Sequence, residues 1–290
     1  MTKNALVLGG GGALGVAWET GLLAGLRDAG IDPGAADLVV GTSAGSVVGT
    51  YIAGGKLDEG LAQQSQGPDP EINAMIAEVD LVGMTQLFAY WASLPEVTKD
   101  AMAEVGAKAL AAKTTSEEKW AAYFKDLVPI ESWPSKPLKL TAVDTANGDF
   151  QVWDRDSGVP IHLAVASSCA VPGMFPPVTL HGKRYTDGGV RSGTSADLAA
   201  GFDSVLIVAP IGSGKDGIDP ILGRTSRAEA EALLAGGSRV ELAFPDADSL
   251  EAMGANRMDS SRRPQCIEAG RRQGTALAAK LSGIWVAAGV

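Results

Sequence analysis

The stretch VGTSAGS, residues 40–46, places Ser43 between Gly41 and Gly45 directly after the apolar run 38–40. This Gly-x-Ser-x-Gly pattern is typical of a nucleophile elbow, a sharp strand-to-helix turn that presents a serine in strained backbone. Bulky side chains two positions away from the serine would collide with the strand or the helix. The same five residues also suit a tight turn that needs only small side chains. The rest of the chain must decide between a nucleophile and a plain turn.

The elements around this turn alternate between apolar strands and amphipathic helices, which predicts a largely parallel sheet with helices on both faces. Asn147-Gly148 and His181-Gly182 each lie between two short apolar runs, and both indicate hairpins. The patterns predict strands at 5–8, 37–40, 138–143, 150–153, 178–180, 183–186, 204–209 and 239–244. They predict helices at 15–29, 44–53, 71–79, 99–112, 116–127, 161–170, 228–235 and 265–281. We expect one three-layer α/β/α domain over residues 1–290, with a central, mostly parallel sheet and a helical insertion at about 56–127 that covers the site.

Composition excludes several function classes. The chain has 290 residues, 46% of them hydrophobic, and a net charge of -10, so it has enough apolar residues for a sizeable core but no basic cluster that would bind nucleic acid. The first residues do not read as a signal peptide, and no stretch approaches the roughly 18 apolar residues of a transmembrane helix. Two cysteines and two histidines form no metal-ligand spacing. We therefore expect a cytoplasmic protein without a metal or cofactor.

A run of glycines follows the first predicted strand, and Gly10-x-Gly12-x-x-Gly15 matches the dinucleotide fingerprint. Consecutive glycines expose main-chain N–H groups beside a helix start, where they form a cradle for an anion. That anion is either a pyrophosphate or the oxyanion of an acyl intermediate. A dinucleotide site requires an acidic residue at the end of the second strand, and Ser43 stands there instead. An oxyanion site is favoured, and a nucleotide-dependent oxidoreductase is the weaker alternative.

Ser43 needs a base to act as a nucleophile. A Ser-His-Asp triad in the usual α/β order needs a late histidine, but the chain has only His162 and His181, followed by 109 residues without another. Either histidine, oriented by Asp144, is the alternative base. Asp187 is the better candidate, because it ends a predicted strand before two glycines and a buried carboxylate can accept a serine proton. Its Asp-Gly-Gly sequence is also compatible with a simple turn.

Together these motifs resemble the patatin-like phospholipase family over about residues 4–210. The resemblance rests on Gly10-Gly11-Gly12-Ala13-Leu14-Gly15, Gly41-Thr42-Ser43-Ala44-Gly45, Asp187-Gly188-Gly189 and the segment ASSCAVPGMFPP at 166–177, in that order. The resemblance implies a patatin-like fold and a Ser-Asp dyad without histidine. Ser43 would then attack a lipid acyl ester, and Asp187 would take its proton and later activate the deacylating water. The N–H groups of Gly11, Gly12 and Ala13 would form the oxyanion hole.

One position departs from the family pattern, since Leu14 stands where the family usually carries Arg or Lys. The departure favours a neutral or single-chain acyl ester over a phospholipid, and any contact with a membrane surface is expected to be transient. A catalytically silent binding or regulatory protein with this fold is the first alternative, and a Ser-His-Asp esterase is the second. Acyl chain length, head group, positional preference and oligomeric state stay open.

Three further features have plain structural interpretations. The apolar segment 87–91 is expected in the core rather than in a lid. Cys169 and Cys266 are expected to be inert packing residues. The arginines at 262–263 and 271–272 are expected on a solvated helix face.

Overall fold

Eight strands form one sheet in the part of the chain that the computed structural model describes, which comprises residues 2–212, 219–283 and 285. The strands are β1 (Asn4–Leu8), β2 (Leu38–Gly41), β3 (Leu138–Asp144), β4 (Phe150–Trp153), β5 (Val178–Leu180), β6 (Lys183–Asp187), β7 (Ser204–Val208) and β8 (Arg239–Ala243). The helices are α1 (Gly12–Asp28), α2 (Ala44–Ala53), α3 (Leu57–Gln64), α4 (Pro70–Ala77), α5 (Leu81–Ser93), α6 (Lys99–Ala111), α7 (Glu117–Leu127), α8 (Ile161–Ser168), α9 (Asp219–Ala235), α10 (Ala247–Met253) and α11 (Arg263–Leu281).

The sheet is buried on both faces, as its uninterrupted apolar strands predict. Along β1, Leu6 and Leu8 contribute to one buried cluster, whereas Ala5 and Val7 contribute to another. Successive strand residues point to opposite faces, so the two clusters lie on the two sides of the sheet. The result is an open α/β architecture with helices on both sides, in agreement with the predicted fold class.

The sheet is mixed in direction. β3, β2, β1, β7 and β8 lie side by side in this order and are all parallel. The β3–β4 and β5–β6 pairs are antiparallel and form the two predicted hairpins. β6 also pairs antiparallel with β3. The sheet is therefore parallel through its centre and at one edge, and antiparallel where the hairpins join it.

β3 brings the ends of two distant strands together. Leu140 pairs with Gly41 of β2 and also with β4, and Ala142 pairs with Asp187 of β6 and also with β4. Because a strand residue has one partner on each edge, β2 and β6 must follow one another along the edge of β3 opposite β4. Their last residues face positions of β3 that are two apart, a spacing of about 7 Å. Whatever follows β2 must therefore lie beside the end of β6.

The segment between α2 and β3 is helical, and its division into an inserted unit within a single domain stays a prediction. It contains the predicted helices α4, α6 and α7 together with α3 and α5. The aromatic part of α5 packs into the interior as expected, since Leu87 and Trp91 are buried. Among the remaining helices, α1 begins three residues earlier than predicted, α9 begins at Asp219, and α10 was not predicted.

Among the described residues, no single helix has the length and apolar character needed to cross a bilayer. Within the described ranges, α4 and α5 taken together reach that threshold, and the chain bends by 89° between them.

Candidate active site

Ser43 occupies the sharp turn between β2 and α2. Its backbone has φ 54° and ψ -119°, a strained conformation for a residue with a side chain. The flanking glycines are sterically required, because a Cβ at Gly45 would lie 2.1 Å from the carbonyl oxygen of Leu8, and one at Gly41 would lie 2.5 Å from the carbonyl oxygen of Gly45. The Ser43 N–H donates to Ser168 Oγ at 3.0 Å. The predicted elbow geometry is present.

Asp187 ends β6 and is buried beside Ser43, with 2% of its surface exposed. Its Oδ1 accepts the Gly189 N–H at 2.7 Å, and the Ser43 side chain lies near enough to lower the pKa of Asp187. Burial raises the pKa of Asp187 from 3.8 to about 7, although the bonds from Ser43 and Gly189 lower it. Gly188 allows β6 to approach β3, since a Cβ there would lie 2.1 Å from Thr141 Oγ1. The site therefore places a buried carboxyl with a raised pKa beside the serine of the elbow.

The first glycine turn lies against the elbow. A Cβ at Gly10 would come within 3.4 Å of the Ser43 Cβ. The Gly10 N–H donates to the Gly193 carbonyl, and Gly15 packs α1 against α2, where its Cβ would lie 3.3 Å from that of Ala44. The spacing of these glycines thus has a packing reason at both ends of the turn.

Three main-chain N–H groups of this turn have no hydrogen-bond acceptor among the described residues, and they belong to Gly11, Gly12 and Ala13. The next N–H, that of Leu14, donates to the Arg257 carbonyl at 3.0 Å. Gly12, Ala13 and Ser43 line the same pocket. The start of α1 therefore brings N–H groups without an acceptor to the wall of the pocket that contains Ser43.

Leu14, the residue that departs from the family pattern, is fully buried in the core. Its side chain does not line the pocket that contains Ser43. A cation at this position would have to be buried or would have to displace the start of α1.

The pocket beside Ser43 contains about 490 Å³ of empty space, including its open mouth. Its walls are mainly apolar. Trp120 and Phe124 of α7 form one side, and the Trp120 ring stacks on Phe175 with 3.8 Å between ring centroids. Such a lining suits an acyl chain better than a polar ligand. The sequence indicated a helical cover for the site, but not that α7 would supply these rings.

Neither histidine belongs to this pocket. His162 lies on α8, where burial and the charge of Lys125 lower its pKa. His181 lies in the β5–β6 turn, and its ring nitrogen pairs with the Ser157 carbonyl. Asp144 pairs with Lys183 at 2.8 Å instead of orienting an imidazole.

The expectation for the arginines was wrong at Arg263. Its side chain is buried, forms an ion pair with Asp69 at 3.1 Å and lines the pocket. Arg271 and Arg272 are half exposed, as expected. Cys169 also lines the pocket, where its Sγ donates to the Ser43 carbonyl at 3.2 Å and burial raises the pKa of its thiol.

An open α/β sheet in which a central strand ends in a serine elbow defines the class of this protein, that of the nucleophile-elbow α/β folds. More narrowly, the chain belongs to the patatin-like phospholipase family, whose family model matches residues 6–200. The resemblance drawn from the motifs is confirmed at the level of the family.

Individual relatives are distant. The chain is 29% identical over 209 residues to an uncharacterized NTE family protein of Mycobacterium tuberculosis and to its counterpart in Mycobacterium bovis, with 71% of this chain and 48% of each relative covered. The chain thus spans about half the length of these relatives. Among solved structures, VipD from Legionella pneumophila matches with a TM-score of 0.47 and 15% identity, covering 96% of this chain and 67% of VipD. The type III effector protein ExoU matches with a TM-score of 0.37 and 13% identity, covering 94% of this chain and 53% of ExoU.

Proposed function

We propose that the protein hydrolyses carboxylic esters of lipid-like acyl chains through a covalent acyl-Ser43 intermediate, with Asp187 as its base. The observation that carries this proposal is the contact between Ser43, on its strained elbow, and a buried carboxyl whose pKa is about 7. A base with a pKa near the working pH combines a useful ionised fraction with a strong pull on the proton. Family membership supports the same class of reaction.

In the acylation half of the reaction, Ser43 Oγ attacks the ester carbonyl while its proton passes to Asp187. The oxyanion that forms accepts hydrogen bonds from the N–H groups of Gly11, Gly12 and Ala13. Each such donor is worth about 3–4 kcal/mol of barrier. When the intermediate collapses, Asp187 returns the proton to the leaving alcohol, and the acyl group stays on Ser43.

Deacylation repeats these steps with water as the nucleophile. Asp187 removes a proton from the water, the water oxygen attacks the acyl carbonyl, and the same N–H groups bind the second oxyanion. The proton then returns to Ser43 as the fatty acid leaves. The apolar pocket and the burial of Leu14 support neutral single-chain esters as the preferred substrates over phospholipids.

A fluorophosphonate probe tests the proposal. The wild type should be labelled, Ser43→Ala should not, and a change at a buried serine that does not line the pocket, Ser167→Ala, should leave labelling intact. p-Nitrophenyl esters of increasing chain length should be hydrolysed faster than phosphatidylcholine vesicles. Labelling and turnover that survive in Ser43→Ala would exclude the proposed nucleophile. An unlabelled, inactive wild type would favour a catalytically silent binding protein.

We also propose a cytoplasmic location with transient contact at lipid surfaces. Two free, buried cysteines support a reducing compartment. Leu81 and Val82, at the start of α5, are 60% and 68% exposed and supply an apolar pair that can touch a membrane. Cell fractionation tests the compartment. Co-sedimentation with vesicles should be weak in the wild type and lost when both residues become serine, and unchanged sedimentation would exclude this contact.

A further inference from the structure

The pocket beside Ser43 has a polar region in an otherwise apolar wall. Gln64 at the end of α3 and Arg263 at the start of α11 both line it. Arg263 also lines a second, surface pocket that contains neither Ser43 nor the glycine turn. The polar region therefore lies where the acyl pocket approaches the surface on a side away from the elbow.

Each of these two side chains has one polar atom that is buried and lacks a hydrogen-bond partner in the described part of the chain. For Gln64, which is 1% exposed, Nε2 donates to the Tyr51 hydroxyl at 3.2 Å but Oε1 has no partner. For Arg263, one terminal nitrogen donates to Asp69 Oδ2 at 3.1 Å but Nε has no partner. A buried polar group without a partner costs roughly 1–3 kcal/mol, so two such groups on one pocket wall need an explanation.

Gln64 contacts Tyr51 through its hydrogen bond, and the charge of Arg263 also reaches Tyr51. Burial raises the pKa of Tyr51, while the hydrogen bond from Gln64 and the charge of Arg263 both lower it. Tyr51 itself cannot satisfy the remaining atoms, because its hydroxyl proton is donated to Gln63 Oε1 at 2.8 Å.

Asp69 does not accept a hydrogen bond from Arg263 Nε either. Its Oδ1 accepts the N–H groups of Glu71 and Ile72, where it caps α4, and its Oδ2 accepts the Tyr123 hydroxyl as well as Arg263. The carboxylate is thus fully engaged, and the Nε–H of Arg263 points to no acceptor of its own.

We propose that Gln64 and Arg263 form a subsite for a hydroxyl group on the acyl chain, so that hydroxyacyl esters are preferred substrates. A hydroxyl donates its proton to Gln64 Oε1 and accepts from Arg263 Nε, which satisfies both atoms at once. A carboxylate would satisfy Arg263 but would repel the Gln64 oxygen, and a methyl end would leave both unpaired. The subsite rests on the ester hydrolysis proposed above, because only then does the pocket receive an acyl chain.

The test compares a plain p-nitrophenyl acyl ester with esters of equal chain length that carry one hydroxyl at successive carbons from the middle of the chain to its end. At one position, the hydroxyacyl ester should have a kcat/KM about tenfold or more above that of the plain ester, because a site built for a hydroxyl rejects an analogue that lacks it. The methyl ether at the same carbon accepts a hydrogen bond but cannot donate one, so most of the preference should be lost with it.

Gln64→Met keeps the length of the side chain and removes the acceptor, and it should bring the ratio of the two kcat/KM values close to one. Gln66→Met is its control, since Gln66 lies two residues further on, is exposed and does not line the acyl pocket. The control should keep the wild-type ratio. Arg263→Lys retains the charge opposite Asp69 without Nε, and it should lower the preference on its own.

Plain esters hydrolysed as fast as every hydroxyacyl ester by the wild type would overturn the subsite while leaving the proposed function standing. So would an unchanged ratio in both Gln64→Met and Arg263→Lys. Equal rates for plain and hydroxyacyl esters are also expected if a water molecule already bonds to both side chains, because the acyl chain would then gain nothing from its own hydroxyl. Failure of the proposed function is distinguishable, since the wild type would then neither react with the fluorophosphonate nor cleave the plain ester.

Discussion

Replacing Asp187 by asparagine should remove activity and, at the same time, stabilise the protein at neutral and higher pH. Asparagine has nearly the same shape as aspartate, and its oxygen can still accept the Gly189 N–H. It cannot take a proton from Ser43, so we expect hydrolysis to fall at least about a hundredfold, the low end of what a general base contributes. The gain in stability arises because the wild type must bury a carboxylate at that position.

The size of the stability effect follows from the pKa of Asp187, which burial raises from 3.8 to about 7. At about 1.36 kcal/mol per pKa unit, that rise corresponds to about 4 kcal/mol. Because the folded-state pKa is the higher one, this stabilisation is fully present below about pH 4 and is lost as the pH rises through 7. The amide does not titrate. The free energy of unfolding of Asp187→Asn relative to wild type should therefore increase by up to about 4 kcal/mol between pH 4 and pH 8.

Urea unfolding of both proteins at several pH values measures this difference directly. Other titrating groups, including the buried Glu19, are common to both proteins and cancel when the two curves are subtracted. Asp144→Asn is the control for activity, because Asp144 is equally buried and ends the neighbouring β3, and this variant should keep its esterase activity. If the stability curves of Asp187→Asn and wild type run parallel from pH 4 to pH 8, the carboxyl is not desolvated as described. An active Asp187→Asn would refute its role as base.

Four further substitutions test the histidines, the elbow and the buried Glu19. His162→Ala and His181→Ala should each keep most of the esterase activity, as both rings lie outside the pocket, and a folded but inactive His181→Ala protein would instead support a triad. Gly45→Ala should lower the free energy of unfolding by about 1–3 kcal/mol or prevent folding, because its Cβ would lie 2.1 Å from a carbonyl oxygen of β1. An unchanged melting temperature would contradict this geometry. Glu19→Gln should gain stability relative to wild type as the pH rises, because burial raises the pKa of Glu19 well above its ordinary value and ionising it costs stability only at higher pH. Urea unfolding at pH 5 and pH 8 measures this gain. Equal differences between the two proteins at both pH values would exclude it.

Much of the fold was predictable because its signals are local. All eight strands follow from short apolar runs, and both hairpins follow from turn sequences with a clear conformational preference, as His181 with φ 50° illustrates. The elbow was predictable for the same reason, since Gly-x-Ser-x-Gly after an apolar strand is a local pattern, and the other motifs of the chain favoured a nucleophile over a plain turn. Helix starts were less predictable. α1 begins at Gly12 because the carbonyl of Arg257 caps the Leu14 N–H, a contact made by residues far apart in the chain.

The burial of Arg263 could not be predicted from the sequence for a related reason. Its neighbour Arg262 and the later pair Arg271 and Arg272 suggest a solvated helix face, and nothing nearby indicates that one of the four is buried. The partner that decides the matter is Asp69, 194 residues away. In the structure Asp69 caps α4 directly before Pro70. A charge run can be sorted into solvated and buried members only when the long-range partner is known.

The proximity of Ser43 and Asp187 depends on local motifs and on a long-range contact. Each residue was identifiable as the end of a strand, but their proximity depends on β2 and β6 sharing one edge of β3 while β4 occupies the other. A hairpin that paired with a different strand would have kept every local motif and separated the two side chains. The same arrangement buries Asp187, whose surface is 2% exposed, and this burial raises the pKa of its carboxyl. The contact that can move a proton and the burial that tunes its acceptor are thus consequences of a single arrangement of three strands.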